Sequence, residues 1–417
     1  MQSPPPPSDT KARVAWVLLD WAASGFSTVL ITLVVAYVEK IVMPDGGWGM
    51  SAGIVWAWTL SAAMLCSAVI APLAAAWADR HDAHQRALIV GTLIGVGGLL
   101  ALAAVPPAFG LAVLAAVVAA CVGFDVAQVF TGSLLPRLAA GGDADRLSAR
   151  GFAAGYLGGA IALAAATAIV TGRERLGLTA AGSLRLAFAA TAAWWLVFSL
   201  PAAIVRFAGV DGGLRRPIAG RELVGFARSL GWGGSSVGDR RFVEVLTGAM
   251  LALGAIQTAI SQFTSLAIQR FDLDGPALVR MVLLVQAVAL PGALGVGWLS
   301  TRFGRWAATV VSIGGWIAVL VLAWFVRTPT ELTWLAVLLA LVLGGAQSLL
   351  RAAVACLAPE GAAGVTFGLL QVGTKLAGCA AGVVFGGLQL VTGVPQAGLV
   401  SLAAQLAAAW WLLRRMG

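Results

Sequence analysis

Apolar runs recur along this chain from Val14 to Leu413, and each is long enough, at roughly 20 residues, to cross a bilayer as a helix. The runs are rich in Ala and Leu and do not alternate with period two, which excludes the strands of a barrel. The pattern predicts an all-α membrane protein with twelve transmembrane helices. The predicted spans lie near residues 14–38, 53–78, 87–105, 108–135, 151–171, 184–206, 241–268, 277–300, 306–326, 332–357, 364–391 and 395–413.

Composition supports this interpretation. Hydrophobic residues make up 60% of the 417-residue chain and charged residues only 11%, whereas soluble domains are about one quarter charged. A water-soluble fold cannot bury so much apolar surface, so the bilayer is the expected solvent.

The basic residues set the predicted orientation. Most of the 27 lysines and arginines fall in the segments on one side of the membrane, which the positive-inside rule places in the cytoplasm. This bias also accounts for the net charge of +9 without a nucleic-acid partner. We expect both termini in the cytoplasm, a proline-rich tail over residues 1–13 and a polar linker over residues 207–240. The excess of Arg over Lys is typical of a GC-rich bacterial genome and favours a bacterial inner membrane.

The two halves of the chain resemble each other. The segment after span 2, Ala75–Arg86, corresponds to Gly297–Trp306 after span 8, and Gly151–Gly159 corresponds to Gly364–Val372. Parallel repeats of this kind are typical of transporters whose substrate site lies between the halves. We therefore predict two pseudo-symmetric six-helix bundles, over residues 14–206 and 241–413.

Sequence motifs point to a family. The string GWLSTRFGR, Gly297–Arg305, resembles the G-x-L-x-D-R-x-G-R loop signature of the major facilitator superfamily, with Thr301 in place of the acid. A closer resemblance, to the vacuole-effluxer-like family named after an autophagy-linked amino-acid effluxer of yeast, rests on LLDWAASGFSTVLITLVV, SLLPRLAAGGDADRLSARGFAAGYLGG and QSLLRAAVACLAPEGAAGVTFGLLQVGTK. The resemblance implies the major facilitator fold and export of amino acids.

Three ionisable residues stand out among those inside predicted spans, where a charge is costly and usually functional. Asp20 in span 1 is a candidate for binding a substrate amine or a proton, or else a structural cap. Asp125 in span 4 is a candidate for proton coupling or for a substrate cation, or else half of a buried ion pair. Lys375 in span 11 is a candidate for a substrate carboxylate or for neutralising one of these acids, or else it snorkels to the interface.

Amides and glycines within the spans are mostly expected to mediate helix packing. Gln257 and Gln347 are the exceptions, because spans 7 and 10 line the cavity in the superfamily that the chain resembles. Gly155, Gly158 and Gly159, in GYLGGA, resemble a small-residue surface that lets helices approach closely.

Charges in the cytoplasmic loops are candidates for a gate. Asp79, Arg80, Arg137 and Arg302 lie in loops that must separate when a site opens inward, and the superfamily resemblance implies contact between Asp79 and Arg137. The alternative is that these charges only set topology. We do not expect a metal site among Asp79, Asp82 and the nearby histidines, nor any cofactor, because a solvated loop offers no defined ligand set.

Three functions are compatible with these features. The first is transport of small amino-acid-like zwitterions by alternating access, in the export direction and either coupled to protons or driven by the gradient of the substrate itself. The second is efflux of amphipathic cations or drugs, and the third is a non-transporting scaffold or receptor on a transporter fold. No catalytic constellation indicates an enzyme. The expected partners are a small-molecule substrate, membrane lipids and protons, with no nucleic acid, and the expected state is a monomer.

Overall fold

The computed structural model describes residues 10–48, 52–139, 143–205, 207, 237–271, 275–358, 363–392, 394 and 396–414. Within these ranges the chain forms twelve helices. They are α1 Thr10–Val42, α2 Ala52–His81, α3 His84–Ala104, α4 Gly110–Leu138, α5 Ala144–Thr171, α6 Ala180–Ile204, α7 Val237–Phe271, α8 Gly275–Phe303, α9 Arg305–Phe325, α10 Pro329–Leu357, α11 Ala363–Thr392 and α12 Gly398–Leu413.

Eleven of these helices are apolar and long enough to cross a membrane, and α12 is an apolar helix of 16 residues. The predicted all-α membrane fold is therefore confirmed. Of the predicted tail, only Thr10–Arg13 are described, and they begin α1. The predicted linker lies outside the described residues except for Phe207 and the helical backbone from Val237 onward.

The described residues form two compact units. Unit one comprises Leu135–Ala153 and the chain from Gly212, of which the described part begins at Val237. In it α7 packs against α11 and α12, α12 also packs against α9, and α8 packs against α10. Unit two comprises Asp9–Leu134 and Ala154–Asp211, and in it α1 and α3 both pack against α6. The order α1–α6–α3 is repeated by α7–α12–α9, as expected for an internal repeat.

Glycines allow α3 and α4 to approach closely. A Cβ atom on Gly98 would lie 2.8 Å from the Cα atom of Ala120 and 2.9 Å from the carbonyl oxygen of Ala116. A Cβ atom on Gly123 would meet the backbone of Gly95 in the same way. Backbone contact of this kind replaces the hydrophobic effect as the source of attraction between helices in lipid.

Helices α3 and α6 each bind the last carbonyl groups of the other. The Gln85 amide, in the first turn of α3, donates to the carbonyl oxygens of Ala202 and Val205 at 2.9 and 2.8 Å. The Arg185 guanidinium, near the start of α6, donates to Ala103 and Ala104 at 2.6 and 2.7 Å. Carbonyl groups that have no partner within their own helix are thereby satisfied at both ends of the pair.

Candidate functional site

Two carboxylates are buried in the apolar helices of unit two. Asp20 in α1 is 5% exposed and Asp125 in α4 is 4% exposed. Both lie inside segments long and apolar enough to span a membrane. Their positions match the requirement that a functional intramembrane acid faces protein and not lipid.

Contacts between α1 and α4 bracket the two acids. At one end the Trp16 indole donates to the carbonyl oxygen of Thr131 at 2.7 Å, and at the other the rings of Phe26 and Phe124 lie 5.4 Å apart. Asp20 lies between Trp16 and Phe26, and Asp125 lies between Phe124 and Thr131. Both acids therefore fall within a stretch of about 15 Å along this helix pair, given 1.5 Å of rise per residue.

Glycines of helix α5 pack closely against α1 beside Asp20. A Cβ atom on Gly155 would lie 2.6 Å from the Ser24 hydroxyl and 3.3 Å from the Asp20 carbonyl oxygen. A Cβ atom on Gly158 would meet the backbone of Trp21. The GYLGGA segment thus forms a small-residue contact surface, which fixes the backbone that carries Asp20.

Lys375 lies in α11 of unit one and is half-buried. One turn away, the Thr258 hydroxyl of α7 lies 3.1 Å from the Gly378 carbonyl oxygen of α11 and 3.0 Å from the Gly254 carbonyl oxygen of its own helix. This contact holds α11 to α7 and so fixes the backbone beneath Lys375.

The two candidate amides differ in environment. Gln257 of α7 is exposed, although its neighbour Thr258 packs against α11. Gln347 of α10 is half-buried and precedes Ser348, which is fully buried. Both lie in unit one, on helices separate from the one that carries Lys375.

The predicted gate residues differ in burial and in their contacts. The Asp79 carboxylate lies 2.7 Å from Nε2 of His84, and both side chains are almost fully buried. Nδ1 of His84 lies 3.9 Å from Asp82. Arg80 and Arg302 are exposed, and Arg137 is half-buried. Among the described residues, no group of three or more His, Cys, Asp or Glu side chains is placed to hold a metal ion.

A polar network in unit one was not predicted. We call it the Asp145 cluster, and it comprises Asp145, Ser148, Ser300, Arg305 and Arg351. Asp145, 7% exposed, lies in the first turn of α5. Its carboxylate accepts a hydrogen bond from the Ser300 hydroxyl at 2.5 Å, and from Nε of Arg305 at 2.9 Å. A carboxylate in a first helical turn is also stabilised by the helix dipole.

The second half of the Asp145 cluster surrounds Ser148, one turn further along α5. The Ser148 hydroxyl donates to the Ser348 carbonyl oxygen at 2.8 Å and accepts from Nε of Arg351 at 3.0 Å. The Arg351 guanidinium also donates to the Ser148 carbonyl oxygen at 3.1 Å and lies 4.4 Å from the centre of the Phe152 ring. The beginning of α5 is therefore attached to α8, α9 and α10 by charged and polar groups.

Two signals in the sequence pointed to the Asp145 cluster. Arg305 is the last residue of the GWLSTRFGR motif, and Asp145 is one of two acids, with Asp143, in a loop region that also carries Arg137, Arg146 and Arg150. Neither signal identifies the partner, because the two residues are 160 positions apart.

Comparisons with known proteins agree on the fold. Residues 8–416 match the family model described as "Vacuole effluxer Atg22 like". The chain is 26% identical over 375 residues to the uncharacterized MFS-type transporter YxiO of Bacillus subtilis (strain 168), a match that covers 88% of this chain and 86% of that protein.

Two solved structures show the same architecture. The transporter FucP in its outward conformation matches with a TM-score of 0.74 at 13% identity, covering 98% of this chain and 99% of that one. The human organic anion transporter MFSD10 matches with a TM-score of 0.68 at 16% identity, covering 99% of this chain and 100% of that one.

Proposed function

Because the chain belongs to the vacuole effluxer Atg22-like family of major facilitator superfamily transporters, we propose that it exports small amino-acid-like zwitterions by alternating access. Protons drive the export. The protein resides in a bacterial inner membrane with both termini in the cytoplasm, as its charge distribution favours.

The buried acids Asp20 and Asp125 carry this proposal. An ionised acid at the centre of a spanning helix costs about 2.5–3.5 kcal/mol to insert, so acids inside such helices are usually functional. A carboxylate in such surroundings suits the ammonium group of a zwitterion, and it also suits a proton. We assign the coupling proton to Asp125 and the substrate amine to Asp20.

Lys375 supports a zwitterionic substrate over a cationic one. Its ammonium group, half-buried in α11, is the right charge for a substrate carboxylate. Gln257 and Gln347 are proposed as weaker polar contacts to the same substrate.

The Asp145 cluster supports a gating role for the beginning of α5. Salt bridges and other polar contacts between elements are among the interactions that repack when a protein switches between two states. We propose that these contacts break when the cytoplasmic side opens, together with contacts of Asp79, Arg80, Arg137 and Arg302.

Transport by purified protein in proteoliposomes tests the proposal. A panel of radiolabelled amino acids, with a pH gradient imposed across the vesicle, should reveal uptake or release that collapses with a protonophore. Asp125→Asn should lose the response to the pH gradient, and Lys375→Ala should lose the substrate. The matched control is Glu174→Gln, which also replaces a carboxylate by an amide but lies exposed in a loop.

Two other outcomes of the transport assay would contradict parts of this proposal. Transport of amphipathic cations with no response to amino acids would assign cation efflux instead. Equal proton-driven transport by Asp125→Asn and the parent protein would contradict the role given to Asp125.

A further inference from the structure

A groove opens on the surface of unit two between α1, α3 and α6. It has a volume of about 400 Å³, including its open side. Its floor is formed by buried leucines, among them Leu19 and Leu88, whereas Leu93 and Leu200 on its rim are 52% and 47% exposed. Because all three helices are apolar spans, the open side faces the acyl chains of the bilayer.

One polar group in this groove lacks a partner. Ser199 of α6 lines the groove and is 8% exposed. Its hydroxyl oxygen is buried and has no hydrogen-bond partner among the described residues. A serine within an apolar helix usually bonds to a carbonyl oxygen of the preceding turn. Leaving such a hydroxyl unsatisfied is costly, and a polar group of a molecule bound in the groove can supply the acceptor that the described residues do not.

The depth of Ser199 matches that of a lipid ester. Helix α6 has 25 residues and is therefore about 37 Å long, so that, centred in a hydrocarbon layer of about 30 Å, it extends about 4 Å beyond the layer at each end. Ser199 lies about 7.5 Å from the helix end at Ile204, which places it about 4 Å inside the edge of that layer. In a bilayer the ester carbonyls lie between the headgroups and the hydrocarbon layer, whose half-thickness is about 15 Å. The hydroxyl is therefore at a depth where a lipid ester can accept its proton.

A positively charged residue lies near one end of the groove. Arg86 is exposed in the first turn of α3, and Ile89 and Leu93, which line the groove, follow it at spacings of three and seven on the same helix face. This end of α3 is the one that the charge bias places in the cytoplasm. The cytoplasmic leaflet is the one rich in anionic lipids.

We propose that this groove is a binding site for an anionic phospholipid of the cytoplasmic leaflet. One acyl chain occupies the groove, its ester carbonyl accepts a hydrogen bond from Ser199, and the phosphate binds Arg86. The site is separate from the buried acids to which transport is assigned.

Photolabelling tests the site directly. The full chain is reconstituted in vesicles of phosphatidylcholine and phosphatidylglycerol with a trace of phosphatidylglycerol carrying a diazirine on one acyl chain. After illumination, mass spectrometry locates the label. We expect it on the α3 and α6 peptides that contain Leu93 and Leu200, and a label spread evenly over the lipid-facing helices would overturn the proposal.

Neighbouring residues on α6 supply a matched pair of variants. Ala203 is exposed and lines the groove, so Ala203→Phe fills the groove without disturbing the interior, whereas Ile204, 79% exposed, lies outside it. Ala203→Phe should lower the labelling about tenfold, equivalent to 1.4 kcal/mol of binding, while Ile204→Phe leaves it unchanged. Equal labelling of both variants would contradict an acyl chain in the groove.

Two smaller changes address the polar contacts and do not depend on packing. Ser199→Ala should reduce labelling about threefold, the effect of one hydrogen bond. Arg86→Gln should abolish the preference for phosphatidylglycerol over a phosphatidylcholine probe, and equal labelling of the parent protein by both probes would overturn the anionic assignment. Labelling needs no transport, so its failure is distinct from failure of the proposed function.

Discussion

The Arg305 guanidinium holds the Asp145 carboxylate by a single nitrogen, with Nε 2.9 Å from one oxygen and 3.2 Å from the other. The side chains are 26% and 10% exposed, so the pair is largely removed from solvent. A second nitrogen of the same guanidinium lies 3.3 Å from the sulfur of Cys356 in α10. Arg305 therefore connects the beginning of α5 to the end of α10.

Arg305→Gln should destabilise the protein. Loss of a partner costs from about 1 kcal/mol for an exposed pair to about 3 kcal/mol for a buried one, and this pair is intermediate. We expect a lower melting temperature in detergent, because the Asp145 carboxylate loses its charged partner. The control is Arg302→Gln, an exposed arginine of the same motif. A melting temperature equal to that of the control would show that the pair contributes nothing.

Adjacent glycines in α3 should respond in opposite ways to alanine. Gly98→Ala places a methyl group against the backbone of α4, and overpacking of this kind costs about 1–3 kcal/mol. No atom lies within 4 Å of a Cβ built on Gly97. Gly97→Ala should therefore be neutral, or more stable by up to about 1 kcal/mol, since alanine favours the helix. Thermal unfolding of the two single variants measures the difference, and similar melting temperatures would refute a close α3–α4 contact.

Arg185→Met should loosen the end of α3. The change removes two hydrogen bonds to backbone carbonyls, and bonds from a charged donor contribute about 1.5–3 kcal/mol each. Hydrogen exchange of the last turn of α3 should speed up, with a lower melting temperature. Arg175→Met, at an exposed loop position, is the control. Unchanged exchange at the last turn would mean that water replaces the guanidinium without loss.

Asp125→Asn separates a functional acid from a structural one. If the acid serves transport, its amide equivalent should retain stability to within about 1 kcal/mol, since functional groups are not optimised for folding. Loss of one half of a structural buried pair would instead cost about 3–5 kcal/mol. The melting temperatures of Asp125→Asn and of the control variant Glu174→Gln distinguish the two interpretations. A large loss of stability in Asp125→Asn would favour the structural interpretation of Asp125.

Hydropathy predicted the number and class of the helices because the thickness of the bilayer fixes a minimum apolar length. It could not predict helical turns beyond the hydrocarbon layer. Span 5 was expected from residue 151, but α5 begins at Ala144, and the seven extra residues contain Asp145 and Ser148. The Asp145 cluster was missed for this reason.

The sequence also could not predict which side chains contact each other. Burial of Asp20 and Asp125 follows from the cost of charge in lipid, which a sequence reveals at once. The contact between Asp79 and His84 does not, because His84 reads as an ordinary loop residue until the turn between α2 and α3 brings its ring to 2.7 Å from the carboxylate.

The reciprocal binding of carbonyl groups by Gln85 and Arg185 has a consequence for biosynthesis. Arg185 follows Ala103 by 82 residues, so the end of α3 leaves the ribosome well before the side chain that completes it. Until α6 is inserted, those carbonyls must face water at the membrane surface. In nascent chains that end before α6, α3 should therefore be only loosely packed in the membrane. The first half of the protein is fully packed only after α6, its last helix, is inserted.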